Sequence, residues 1–223
     1  MTEQIVRSDR WALDSRRLYL CTPDRPDLEG FVASCIDGGV DIVQLREKLL
    51  DDIRLAERAK LVQKVCADRG VPFVLNDNPA LAAAIGADGV HVGQDDMDAA
   101  EARSVMGGEA IIGLSTHARP ELEEAVRTKG AVVDYISAGP VTATPTKPGR
   151  PGTGLGYVSE AVGMAPWSVW VTGGLDPLSV REVAAAGGRH FVVVRWLTEA
   201  DDPYANARAM RHAIDDAVSA PDG

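Results

Sequence analysis

Short runs of β-branched and large apolar residues recur along the chain, with amphipathic stretches between them. The runs predict strands at Leu18–Thr22, Ile42–Arg46, Phe73–Asn76, Gly89–Gly93, Ile111–Ser115, Tyr135–Pro140, Val169–Gly174 and Phe191–Trp196. Most are apolar at nearly every position, as strands buried on both faces should be. Between them, Asp51–Arg69 puts Ile53, Ala56, Ala59, Leu61 and Val65 on one helical face, with Arg, Glu and Lys outside. Ala99–Val105, Pro120–Arg127 and Pro177–Ala186 repeat the pattern at shorter length, and Tyr204–Val218 closes the chain. Thr142–Gly156, rich in Thr, Pro and Gly, is the one long irregular connection. Such a connection in a compact domain is functional or disordered.

Eight strand–helix units in 223 residues predict an α/β fold, a single-domain (β/α)8 TIM barrel. An open doubly wound sheet is the rival, but it uses fewer strands, and no Gly-x-Gly-x-x-Gly follows the first strand. Residues 1–17 read as an N-terminal extension or cap, 18–218 as the barrel and 219–223 as a tail.

Composition narrows the function. Hydrophobic residues make up 45% and charged residues 25%, as in a globular protein. No apolar run approaches the roughly 18 residues of a membrane span, and the polar start, Met1–Arg10, lacks a signal-peptide core. Three cysteines without a Cys-x-x-Cys argue for reduced, buried thiols in the cytoplasm rather than a disulfide or zinc framework. A net charge of −10 repels a polyanion, so nucleic acid is not expected as a partner. A small phosphorylated substrate remains compatible, because local cations dominate within a Debye length.

In a barrel the chemistry sits where strands end and loops begin. The second strand runs Ile42-Val43-Gln44-Leu45-Arg46-Glu47-Lys48. Alternation puts Gln44, Arg46 and Lys48 on one face and Val43 and Leu45 on the other. The polar face should meet an anion in the barrel mouth, since burying it unpaired is costly; pairing with carboxylates on the rim is the plain alternative. Asn76-Asp77-Asn78 before Pro79, and Gly93-Gln94-Asp95-Asp96, could each simply cap a helix. Taken together, Asp77 and Asp96 put a carboxylate on two adjacent strands, a pattern suited to magnesium with water and substrate phosphate. Ser115 could donate to a phosphate, with His91 read as a hydrogen-bonded core residue and no Gly-x-Ser-x-Gly elbow present. Thr144, Thr146 and Lys147 suit phosphate capture or a plain surface loop. Gly152–Gly156 lacks the Lys-Ser/Thr of a phosphate-binding Walker loop. Gly173-Gly174 and Val194-Arg195 end the last two strands, where this fold often binds phosphate.

These motifs resemble one family. Gln44-Leu45-Arg46-Glu47-Lys48, Asn76-Asp77, His91-Val92-Gly93-Gln94-Asp95-Asp96, Gly113-Leu114-Ser115, Gly139-Pro140 with Thr144-Pro145-Thr146-Lys147, and Gly173-Gly174 look like the thiamine-phosphate synthases, in the expected order from about Leu18 to Val218. The resemblance implies a transferase that joins a pyrimidine diphosphate to a thiazole phosphate with Mg2+. It implies that Gln44 binds the pyrimidine and that Arg46, Lys48, Asn76, Ser115 and Lys147 hold the diphosphate, with Leu45 and Glu47 in the same substrate-binding stretch. Asp77 and Asp96 would coordinate the metal. Thr144, Pro145, Thr146, Gly174, Val194 and Arg195 would line the thiazole-phosphate seat, and Gln44, Arg46, Lys48, Ser115 and Lys147 form the catalytic set. Two positions depart from the family: Arg195 stands where serine is usual, and Thr142 where an aromatic residue is common. A thiazole tautomerase relative, a non-catalytic sensor of a thiamine precursor and a phosphate-sugar isomerase are the competing readings. The Asp77/Asp96 pair separates the first two from a synthase. A catalytic Glu, His or Lys at a strand end would mark the third; Glu47 is the one glutamate within those motifs, and alternation places it away from Arg46. The sequence leaves the oligomeric state open, a homo-oligomer included.

Overall fold

A computed structural model of the chain describes residues 11–144 and 151–219. Strands β1 (Leu18–Thr22), β2 (Ile42–Leu45), β3 (Phe73–Asn76), β4 (Gly89–Val92), β5 (Ile111–Thr116), β6 (Tyr135–Ala138), β7 (Ser168–Thr172) and β8 (His190–Val193) pair in chain order. All pairs are parallel and β8 returns to β1, so the sheet is a closed barrel. Helices α1 (Leu28–Asp37), α2 (Asp52–Ala67), α3 (Pro79–Ile85), α4 (Ala99–Met106), α5 (Arg119–Thr128), α6 (Gly154–Met164), α7 (Ser179–Ala185), α8 (Arg195–Thr198) and α9 (Pro203–Ser219) complete the units.

Strand alternation divides the core into two layers. Leu18, Leu20, Val43, Leu45, Phe73 and Leu75 face outward and pack under the helices. Tyr19, Cys21, Ile42, Val74, Ile111, Tyr135, Trp170 and Val192 face inward, and Trp11 and Leu13 from the N-terminal segment pack against them. Three aspartates set the register at the end where the strands begin. Asp41, just before β2, accepts the N–H of Arg17 and of Leu18 at 2.9 and 3.0 Å. Asp88, just before β4, accepts Phe73 N–H at 2.9 Å. Asp134, just before β6, accepts Ile112 N–H at 2.7 Å. At β8 the N-terminal segment takes over: Phe191 N–H donates to Arg17 O at 2.9 Å, and His190 Nδ1 donates to Arg16 O at 2.7 Å.

The structure corrects several local expectations. Arg46, Gly93, Gly139-Pro140 and Gly173-Gly174 lie past the strands that were expected to include them, because the chain leaves the sheet where its polar and glycine residues begin. Val194-Arg195-Trp196 is not strand: Val194 precedes α8 and Arg195 opens it. Ile53 is 76% exposed, since the buried stripe of α2 follows Leu55, Ala59, Val62 and Cys66 at helical spacing. Gly154–Gly156 belongs to α6 rather than to the irregular connection.

Gly113 marks the tightest inward packing. A Cβ there would fall on the Tyr135 ring and on His91 Nδ1. Overpacking of this kind costs about 1–3 kcal/mol. Gly113→Ala should therefore lower the unfolding free energy by that amount, moving the urea midpoint down at unchanged slope; an unaltered midpoint would count against the inward placement of these rings.

Candidate active site

The C-terminal ends of the strands open into one cavity of about 650 Å3. Its floor is the upper inward layer of the barrel. Gln44, 5% exposed, donates from Nε2 to Tyr19 Oη at 2.9 Å and accepts at Oε1 from Cys21 Sγ at 3.3 Å. Past the end of β2, Arg46 and Lys48 also line the cavity, on the same side as Gln44. Leu45 does not: it is fully buried in the outer layer. Glu47 also turns away, accepting Asp24 N–H at 3.3 Å and Leu49 N–H at 2.7 Å, which ties the first two loops together.

The next two strands bring up carboxylates. Asn78, not Asp77, caps α3 by accepting Leu81 N–H at 3.0 Å, and Asp98, not Asp96, caps α4 by accepting Ala100 N–H at 2.8 Å. Asp77 and Asp96 are thereby released from capping and both line the cavity, with Asn76 beside them. Asp77 sits at φ +63°, a left-handed conformation uncommon outside glycine that persists only where its surroundings hold it. Its carboxylate pairs with Lys48 Nζ at 2.7 Å. Burial raises its pKa, the Lys48 contact opposes that, and the neighbouring Asp96 raises it further. Asp96 Oδ2 accepts Gly93 N–H at 2.8 Å. Two carboxylates that repel each other at an open rim are chemically suited to a divalent cation. Among the described residues no group of three or more His, Cys, Asp or Glu is arranged to hold one. The pair fits magnesium completed by water and substrate oxygens rather than a closed protein cage.

On the facing side, Ser115 Oγ lies 2.8 Å from His91 Nε2, and Gln94 Nε2 donates to the Ser115 carbonyl at 2.6 Å. Gly173 and Gly174 have φ +103° and +74°, conformations that glycine adopts at no steric cost. The loop after β6 lies directly on them. Val141 N–H donates to Thr172 O at 2.8 Å, and Thr142 Oγ1 donates to Gly173 O at 3.2 Å. A hydroxyl thus seats this loop at the departure from the family's aromatic residue, and a Cβ on Gly174 would collide with it. Thr144, Gly174, Val194 and Arg195 line the cavity. Pro145, Thr146 and Lys147 lie outside the described residues. Sequence reasoning missed Tyr19, Cys21 and Tyr135 in the floor. The signal was available: parallel register sets Tyr19 beside Ile42 and Cys21 beside Gln44, so they share the inward face.

A closed parallel barrel with a polar, two-signed cavity at its C-terminal rim defines a (β/α)8-barrel enzyme. The family profile described as Thiamine monophosphate synthase matches residues 18–197. The chain is 41% identical to a thiamine-phosphate synthase of Arthrobacter sp. (strain FB24), over 98% of this chain and 100% of that one. It is 42% identical to that of Thermobifida fusca (strain YX), over 95% and 98%. A solved thiamine phosphate pyrophosphorylase from Pyrococcus furiosus superposes with a TM-score of 0.81 at 26% identity, covering 91% of this chain and 97% of that one. The chain belongs to the thiamine monophosphate synthase family.

The raised pKa of Asp77 has a thermodynamic consequence. An acid whose folded-state pKa exceeds its unfolded value binds more protons when folded. Its contribution to stability is full below the ordinary carboxylate range and is lost as pH rises through the raised value. Asp77→Asn removes that titration, and asparagine tolerates the left-handed backbone. In metal-free buffer the variant should melt above the parent at about pH 7, with the gap closing at about pH 3. Calorimetric scans at both values check this, and a lower melting temperature at neutral pH would refute it.

Proposed function

We propose that the chain is a thiamine-phosphate synthase. It joins 4-amino-2-methyl-5-(diphosphooxymethyl)pyrimidine to hydroxyethylthiazole phosphate and releases diphosphate. The observation that carries this reading is one cavity that combines a rigid buried amide, a row of cations and an adjacent carboxylate pair. An aminopyrimidine edge, a diphosphate and a divalent cation ask for those three things.

Gln44 suits the pyrimidine, because an amide can accept from an exocyclic amine and donate to the ring nitrogen beside it. Arg46, Lys48, Asn76 and Ser115 would hold the diphosphate. Asp77 and Asp96 would hold magnesium, which when bound neutralises charge developing on the departing diphosphate. Thr144, Gly174, Val194 and Arg195 would seat the thiazole phosphate, with Arg195 offering a two-pronged guanidinium in place of a hydroxyl. From the sequence, Pro145, Thr146 and Lys147 would join them. The aminopyrimidine itself stabilises a cationic methylene as diphosphate leaves, and the thiazole nitrogen then attacks. The protein has only to orient both partners and stabilise charge, so it needs neither a nucleophile nor a general base. The substrates are small, phosphorylated and membrane-impermeant, which supports a cytoplasmic reaction. No helix among the described residues is long and apolar enough to cross a membrane.

The test is product formation from both precursors with magnesium, read by chromatography with a chelator control. Thiamine phosphate that vanishes with the chelator is expected; a folded protein that makes none would return the tautomerase and sensor readings. Asp96→Ala should keep the fold by circular dichroism and lose at least about 100-fold in turnover, the scale of one preorganised charge interaction. Retained activity with an unchanged magnesium requirement would remove Asp96 from the metal site. Arg46→Ala should weaken binding of the pyrimidine diphosphate about 10- to 100-fold by calorimetry, as loss of a charged hydrogen bond does.

A further inference from the structure

Six side chains in the cavity floor form one hydrogen-bonded chain across the barrel. Cys21 Sγ lies 3.3 Å from Gln44 Oε1, and Gln44 Nε2 lies 2.9 Å from Tyr19 Oη. Tyr19 Oη is 3.0 Å from Tyr135 Oη, and Tyr135 Oη is 2.9 Å from His91 Nδ1. His91 Nε2 ends the chain 2.8 Å from Ser115 Oγ.

One pattern of donors satisfies every link of this chain. The Gln44 amide nitrogen can only donate, so Tyr19 Oη accepts from it and passes its own proton to Tyr135. Tyr135 passes its proton to His91 Nδ1. Burial pushes both phenols above their ordinary range, so both remain O–H donors. His91 Nδ1 is then the lone-pair nitrogen, and the neutral ring carries its proton on Nε2. Ser115 Oγ accepts that proton's hydrogen bond and also accepts from Ser137 Oγ at 3.4 Å, which leaves the serine's own proton to be given to an acceptor in the cavity. Were the amide turned end for end, every link would reverse. His91 would carry its proton on Nδ1, and Ser115 would have to donate to Nε2, turning its proton away from the cavity.

We propose that Tyr19, Tyr135 and His91 are positioning residues that couple the orientation of the Gln44 amide to the donor state of Ser115. The proposal rests on the synthase reading only for the occupants of the two ends, an aminopyrimidine at Gln44 and a diphosphate at Ser115. A ring with an amine next to a bare nitrogen matches the amide as it stands. A 4-oxo ring with an N–H presents the opposite edge, turns the amide, and withdraws the serine proton from the leaving group. The chain therefore makes discrimination at the base felt at the bond that breaks.

The first measurement uses the ligand-free protein. Two-bond 1H–15N spectra of 15N-histidine-labelled chain, with His91 assigned by comparison with His91→Asn, should show the Nε2–H tautomer at neutral pH. The Nδ1–H tautomer or an imidazolium would overturn the proposal. Tyr135→Phe removes the middle link. It should leave the circular dichroism unchanged, mix the His91 tautomers and lower kcat about fivefold to tenfold, the worth of one neutral hydrogen bond. The KM for the thiazole phosphate should hold, and the preference for the amino over the 4-oxo pyrimidine diphosphate should fall by a similar factor. An unchanged tautomer ratio or an unchanged preference would overturn the coupling. The Nε2–H tautomer in a protein that forms no thiamine phosphate would sink the synthase reading and leave the chain's polarity standing. Product formed by a protein with the Nδ1–H tautomer would do the reverse.

Discussion

Closing eight parallel strands sends every second side chain into a space that water enters freely only at the mouth. Each inward polar group must find a partner there or forfeit its hydration. The upper floor of this barrel meets that demand from one side chain to the next, while the indole N–H of Trp170 below it stays without a partner among the described residues. Tyr19 and Tyr135 share a hydrogen bond and also stack edge-on around Trp170, with ring centroids 5.3 and 6.2 Å from it. The same residues thus supply apolar packing below and polar continuity above. Gln44 and Ser115, on either side of that continuity, are buried groups that line the cavity.

The rim works by a different balance. A chain with net charge −10 would repel phosphorylated molecules at long range, but screening confines that field to within about 10 Å. At the mouth the local arrangement governs: Arg46, Lys48 and Arg195 line the same cavity as the Asp77/Asp96 pair. The left-handed backbone at Asp77 lets one residue leave β3, yield the cap of α3 to Asn78 and still aim a carboxylate inward. Held next to Asp96, that carboxylate is raised in pKa by burial and by its neighbour, and Lys48 offsets part of the cost.

Much of this was legible along the chain. All eight strands overlap the apolar runs that predict them, and the alternation through Gln44, Arg46 and Lys48 separates the cavity side of β2 from its packed side. Where reading failed, the reasons are physical. Leu45 and Glu47 belong to a shared sequence motif but point outward, because a motif records neighbours in sequence while a strand sends neighbours to opposite faces. Ile53 is apolar yet exposed, since the phase of α2 is set by Leu55 and Ala59 deeper in the core. Val194-Arg195-Trp196 has the composition of a strand, but the barrel is already complete at Val193 and the chain turns into α8. Tyr19 and Tyr135 were hidden because an aromatic residue in an apolar run looks the same from the sequence whether its hydroxyl meets a partner or not. Register across strands, a non-local property, reveals that.

The aspartates that precede β2, β4 and β6 each bracket an even strand to the odd strand before it. Where β8 closes onto β1, the N-terminal segment provides the latch. Alignment of the strands is thus inherited from one end of the barrel, while recognition is written at the other. Loops at the mouth can be exchanged, lengthened or recoded over evolutionary time without any strand losing its place. Four such brackets make the scaffold a chassis on which new substrate preferences can be tried one loop at a time.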